Sequence, residues 1–151
     1  MGVLYLIGKV LSGDDARAMI KVLLVDDQPM VTRGLRMQIS LEKDVNVVGD
    51  AHTGSEALRL VESLQPDVVV MDVEMPGMDG VAATAALHKR HPGLPVILLT
   101  IHDDRNTRAR AQAAGVSDFI VKTGNQGALL QAIRRACAGL KGQQPALQNP
   151  P

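Results

Sequence analysis

The stretch Asp67-Val68-Val69-Val70-Met71-Asp72-Val73-Glu74-Met75-Pro76-Gly77-Met78-Asp79-Gly80 decides the fold. Val68 to Met71 is an unbroken apolar run, rich in β-branched residues and followed by a Pro-Gly turn. Such a run reads as a strand buried on both faces, as in the middle of a parallel sheet. Its last residue is a carboxylate, Asp72. Ligands of open α/β sheets bind at the carboxyl edge of the strands, and that is where Asp72 is delivered. A second run, Val22-Leu23-Leu24-Val25, ends in Asp26-Asp27. Packing alone does not explain two strands that hand acids to one edge.

Working outward, strand-like segments recur at Lys21–Val25, Asn46–Asp50, Val68–Asp72, Val96–Thr100 and Asp118–Val121, with helix-like segments between them. Pro29 suits a helix first turn, with Met30, Val31, Leu35 and Ile39 expected on its inward face. Thr53 or Ser55 is placed to cap the next helix, which turns Ala57, Leu58, Val61 and Leu64 inward. Asp79–Arg90 stops at His91-Pro92-Gly93. Asp103–Ala114 is Ala-rich, and Gly115 suits a left-handed C-cap. Gln126–Gly139 is expected to bury Leu129, Leu130, Ile133, Cys137 and the nearby Leu140. Five βα units joined by short connections predict a doubly wound, flavodoxin-like α/β fold. The expected parallel strand order is 2-1-3-4-5, with the switch point between strands 1 and 3.

A chain of 151 residues is one domain plus tails. Its 16 basic and 16 acidic residues balance, so no bulk charge draws it to nucleic acid or membrane. No apolar run approaches the roughly 20 residues of a membrane span. The single cysteine, Cys137, excludes an internal disulfide and fits a reducing cytosol. Residues 1–18 read as an extension outside the core fold, 19–140 as the domain, and 141–151, rich in Pro and Gln, as a linker.

Asp26, Asp27, Asp72, Thr100 and Lys122 all fall at strand ends. Carboxylates that converge without compensation raise one another's pKa. A hard divalent cation relieves this, and Mg²⁺ favours one or two carboxylates with waters and phosphate oxygens. Lys122 adds a point charge for an anion, and Thr100 a hydroxyl. A metal, a cation, a hydroxyl and one free carboxylate suit phosphoryl transfer to that carboxylate.

The segments "VLLVDD", "DVVVMDVEMPGMDG", "PVILLT" and "AAGVSDFIVK", in this order and spacing, resemble the receiver domain of bacterial two-component response regulators over roughly Ile20 to Leu140. "DDQPMVTRGL" is most similar to the NarL/FixJ (LuxR-type) branch. The resemblance implies that Asp72 accepts a phosphoryl group from a histidine kinase. It implies Mg²⁺ held by Asp26, Asp27, Asp72 and the backbone carbonyl of Glu74. Lys122 would pair with phosphoryl oxygens, while Thr100 and Phe119 act as switch residues. A cytoplasmic protein follows, one that is no enzyme beyond self-phosphorylation from phosphodonors and autodephosphorylation. It would dimerise on phosphorylation and reach DNA only through a helix-turn-helix domain absent from this chain.

The family usually has proline after the lysine, where this chain has Thr123. Ile101 replaces the usual small residue after the switch threonine, and Phe119 stands where tyrosine is common. Glu74 and His102 flank the expected line of water attack and are expected to tune phosphoryl lifetime. His52, His88, His91 and His102 read as surface residues. Arg105, Arg108, Arg110, Arg134 and Arg135 read either as a docking face or as a solvated one. Two other functions fit less well. One is a degenerate, phosphorylation-independent receiver. The other is a haloacid-dehalogenase-like Mg²⁺ phosphatase, whose D-x-D motif is not met by Asp26-Asp27-Gln28.

Overall fold

The computed structural model describes residues 19–122 and 126–143. Residues 1–18, Thr123 with its peptide bond, the Leu140 side chain and the tail from 144 lie outside the described residues.

Five strands, β1 (Ile20–Val25), β2 (Val45–Ala51), β3 (Val68–Asp72), β4 (Val96–Thr100) and β5 (Asp118–Val121), form one parallel sheet in the order β2-β1-β3-β4-β5. Five helices alternate with them: α1 (Pro29–Ile39), α2 (Gly54–Leu64), α3 (Gly80–Arg90), α4 (Arg105–Ala114) and α5 (Gln126–Gln143). The expected doubly wound fold and its strand order are therefore observed.

Period-two alternation in the strands divides the core between two faces. Val22, Leu24, Val68, Val70, Ile97 and Leu99 pack with α1 and α5, where Leu130, Ile133 and Cys137 are buried. Leu23, Val25, Val69, Met71 and Leu98 pack with α2, α3 and α4. All five residues of β3 are buried, as an apolar run at a sheet centre requires.

Three caps resolve the helix starts. The Thr53 hydroxyl accepts from the Glu56 N–H at 3.0 Å, so Thr53 rather than Ser55 starts α2. Asp79 accepts from the Ala82 N–H and Asp104 from the Thr107 N–H, both at 2.8 Å. These two acids stand just outside α3 and α4 as N-caps. Gly115 closes α4 at φ 83°, the left-handed geometry glycine accommodates.

The inward face of α1 differs from expectation. Met30 is 83% exposed, and Thr32 is buried in its stead at 2%. Thr32 and Ile39 lie seven residues apart on the inward stripe, and Met30, two residues before Thr32, is turned to the far side of the helix.

Candidate functional site

Strand register builds the site. Val25 lies opposite Met71, and Asp72 lies opposite Leu99. Asp26 and Asp27, just past Val25, thus emerge beside Asp72. Thr100 lies opposite Val121, so Lys122 follows at the same edge, and its N–H donates to the Thr100 carbonyl at 2.7 Å. Residues spread over nearly a hundred positions of sequence meet at the carboxyl edge.

One ligand oxygen from each of Asp26, Asp27 and Asp72 lies within 4.8 Å of the other two. Asp26 and Asp72 are buried, at 2% and 8% exposure. The Lys122 Nζ sits 3.3 Å from Asp26 Oδ2 and 3.3 Å from Asp72 Oδ1. One ammonium thus faces three carboxylates, and two negative charges stay uncompensated when all are ionised. Burial pushes the Asp72 carboxyl above its ordinary value, and the Asp26 and Asp27 charges push the same way, while Lys122 opposes them. The donor set is hard oxygen throughout and short of two positive charges, which is what a divalent cation such as Mg²⁺ fits.

The surrounding contacts hold this geometry. Asp26 Oδ1 accepts from the Gln28 N–H at 2.9 Å. His52 Nδ1 is 2.9 Å from the Asp26 carbonyl oxygen, which only accepts, so that nitrogen carries the proton. Both ring nitrogens of His88 face backbone carbonyls, Ala114 O at 2.8 Å and Leu94 O at 2.9 Å. His52, His88 and His91 are half-buried, not the surface histidines expected; His102 is exposed. The Asp26 and Ala114 carbonyls each lie 26 positions away in the chain from the histidine they face, so neither contact is visible in the local sequence.

The turn after Asp72 is tight. The Gly80 N–H donates to the Val73 carbonyl at 2.8 Å. A Cβ at Gly80 would collide with the Asp72 carbonyl oxygen, so only glycine lets α3 start this close to β3. Gly77 adopts φ 79° in the same turn.

Thr100 is buried, and its hydroxyl is turned onto the loop. It donates to the His102 carbonyl at 2.9 Å and accepts from the His102 N–H at 3.0 Å. Glu74 is exposed, with Oε1 3.7 Å from His102 Nε2. Asp27, Glu74, Thr100, Asp79, Thr107 and Arg110 line an open cleft of about 490 Å³. Across it Arg110 donates to Asp79 at 2.8 Å. The Ala82 N–H and Arg110 outweigh burial and hold the Asp79 carboxyl below its ordinary value. Phe119 is half-buried, with the Arg108 guanidinium 4.8 Å from its ring centroid. Ile101 is 59% exposed.

The arginines are less available for docking than their number suggests. Arg108 pairs with Asp103, Arg110 with Asp79, Arg134 with Asp44 and Glu42, and Arg135 with Asp118. Among the described residues, no helix is long and apolar enough to cross a membrane.

The family model for the response regulator receiver domain matches residues 22–134. The chain is 39% identical over 116 residues to the response regulator protein VraR of Staphylococcus saprophyticus, an alignment covering 77% of this chain and 56% of that protein. It is 33% identical over 120 residues to the transcriptional regulatory protein DegU of Brevibacillus brevis, covering 80% of this chain and 51% of that one. It therefore spans a little over half the length of these two relatives. A crystal structure of a LuxR-family two-component response regulator from Aurantimonas sp. superposes with a TM-score of 0.77 at 33% identity, over 80% of this chain and 86% of that one.

Proposed function

The chain belongs to the response regulator receiver domain family, in its NarL/FixJ (LuxR-type) branch, and from that premise we propose that Asp72 is its phosphoacceptor. The observation that carries the reading is the Lys122 ammonium 3.3 Å from the carboxylate of Asp72, at the edge shared with Asp26 and Asp27.

In the proposed reaction an Asp72 carboxylate oxygen attacks phosphorus. The bond from phosphorus to a phosphohistidine nitrogen of a sensor histidine kinase breaks, and a bond to the Asp72 oxygen forms. The electron pair leaves with the imidazole, which takes up a proton. Lys122 then pairs with the phosphoryl oxygens, and Thr100 gives up its His102 contacts to reach them. Asp26, Asp27, Asp72 and the Glu74 carbonyl would hold Mg²⁺, which when bound neutralises charge on the acids and the phosphoryl group. The phosphoryl group brings a charge of about −1.5 to −2 and consumes the carboxylate's own single negative charge, so the site gains roughly −0.5 to −1, and Thr100 and Phe119 would transmit that change. We read residues 19–140 as the receiver unit, cytoplasmic and self-associating once phosphorylated. It would control transcription through a DNA-binding domain outside this sequence, with no chemistry of its own beyond self-phosphorylation and autodephosphorylation.

A kinase partner is supported by an apolar stripe on α1 beside the site. Met30 and Met37 are 83% and 67% exposed and lie seven residues apart on one face of α1, and Leu41, 82% exposed, follows just past its end.

The test is incubation with acetyl phosphate and Mg²⁺, read by intact mass. One phosphoryl group per chain is expected. No labelling would support a phosphorylation-independent receiver, and steady turnover of a generic phosphate ester a phosphatase.

Two further results are expected. At about a hundred times its dissociation constant, Mg²⁺ stabilises the fold by roughly 2–3 kcal/mol. That raises the thermal midpoint by several degrees. Asp27→Ala should remove most of that rise, and an unchanged rise would exclude Asp27 from the metal site. Glu74→Ala and His102→Ala should each change the lifetime of phosphorylated Asp72 severalfold, because these side chains meet at 3.7 Å beside it. Equal decay rates in wild type and both variants would remove them from the hydrolytic step.

A further inference from the structure

We propose that Arg108 is a positioning residue that ties the loop after β4 to the ring of Phe119, holding the aromatic switch in its resting place until Thr100 moves. The inference rests on the reading of Asp72 as phosphoacceptor.

Phe119 lies on the edge strand β5 and packs against the core of the α2–α4 face. Arg108, from α4, lays its guanidinium over the ring at 4.8 Å. That distance is within the range of a cation–π contact. The guanidinium is itself held, because Arg108 Nε and Nη2 both donate to Asp103 Oδ1, at 3.1 and 2.7 Å. A planar fork pinned on one edge keeps its flat face oriented, which a lysine does not do.

Asp103 belongs to the loop that begins with Thr100. The Thr100 hydroxyl is engaged twice with His102, at 2.9 and 3.0 Å, one residue before Asp103. At the far end Asp104 is anchored as the α4 cap through Thr107. When Thr100 leaves His102 for the phosphoryl group, residues 101–103 lose that restraint while residue 104 keeps its own. The slack falls on Asp103, and through it on Arg108 and the Phe119 ring. The chain Thr100–His102–Asp103–Arg108–Phe119 is contiguous, with one contact or peptide link at each step.

A latch favouring the resting state lowers the affinity for a ligand of the other state by its own equilibrium factor. For a partly exposed cation–π contact that factor is about two to five.

Phe119 is the single phenylalanine, so phenylalanine-selective labelling of the full chain yields one set of ring signals by NMR. The probe is beryllofluoride, titrated in Mg²⁺. Arg108→Ala and Asp103→Asn should each move the free Phe119 signals toward their beryllofluoride-bound positions. Each should also lower the half-saturating concentration by about two- to fivefold. Arg108→Lys keeps the cation but loses the fork, and should titrate between wild type and Arg108→Ala. Circular dichroism melts of all three should show intact folding.

If wild type responds and both Arg108→Ala and Asp103→Asn titrate as it does, the latch is wrong and the receiver reading stands. A response in Arg108→Ala without one in Asp103→Asn also overturns it, since Arg108 would then act apart from the loop. If wild type shows neither a Phe119 response nor acetyl phosphate labelling, the phosphoacceptor reading falls and takes the latch with it.

Discussion

Asp72→Asn is expected to abolish labelling by acetyl phosphate while raising the thermal midpoint of the metal-free protein. Asparagine fills the same space but offers no carboxylate oxygen to attack phosphorus, so no acyl phosphate forms. Asp26 and Asp27 remain nearby but emerge from a different strand, and Asp26 is 2% exposed and already engaged by Lys122 and Gln28. They are not expected to substitute as acceptors.

The stability gain follows from the direction of the Asp72 shift. Burial, the first cause, raises its folded-state pKa above the unfolded value. Between those two values the native state binds more protons than the unfolded chain, so stability falls as pH rises through that window. Above that window the full cost of the buried anion is present, and the neutral amide removes it. Both measurements use one variant: intact mass after phosphodonor treatment, and a circular dichroism melt without metal. Residual labelling at the wild-type level would dismiss Asp72 as the acceptor. A lower midpoint would mean that the Lys122 contact outweighs the cost of burial.

The second large effect lies in the backbone. Gly80→Ala puts a Cβ into the Asp72 carbonyl oxygen and within 3.0 Å of Val73 Cα. Both obstacles are backbone, so no rotamer change relieves the contact, and the end of β3 must shift. Overpacking of this kind costs about 2–3 kcal/mol, which lowers the thermal midpoint by roughly 10 °C. Because the displaced segment carries Asp72, labelling should slow by much more than the loss of folded protein explains. A misplacement of about 1 Å at a reacting group is enough for a hundredfold loss. Gly34→Ala is the control: nothing lies within 4 Å of its added Cβ, and alanine in a helix is favoured over glycine by about 1 kcal/mol. It should melt no lower than wild type. A Gly80→Ala protein that melts and labels like wild type would refute the close-approach argument.

The strands at 68–72, 96–100 and 118–121 coincide with the sequence-predicted segments, and β1 and β2 differ only by terminal residues. Buried parallel strands carry dense apolar runs that interrupt the helical pattern sharply, so their ends are legible. The acids at those ends were legible for the same reason. Helix α1 was less so, because its apolar residues do not mark a single phase. The exposed Met30 and Met37 compete with the inward Leu35 and Ile39. Helix α5 runs to Gln143, four residues past the predicted stop at Gly139.

By itself, then, the sequence determined the βα alternation, the strand order and the list of residues delivered to one edge. The alternation and the edge follow from local periodicity, and the order from the flavodoxin-like pattern chosen among the few topologies that right-handed βαβ crossovers leave. Tertiary structure alone decided what those residues touch. Lys122 meets Asp26 across 96 positions of chain. His52 braces the Asp26 carbonyl, Arg110 bridges to the α3 cap, Arg108 covers Phe119, and Thr100 turns its hydroxyl to His102. Such contacts depend on the angles and spacing at which helices pack on a twisted sheet, set by the whole core at once. No window of sequence contains both partners with the geometry between them.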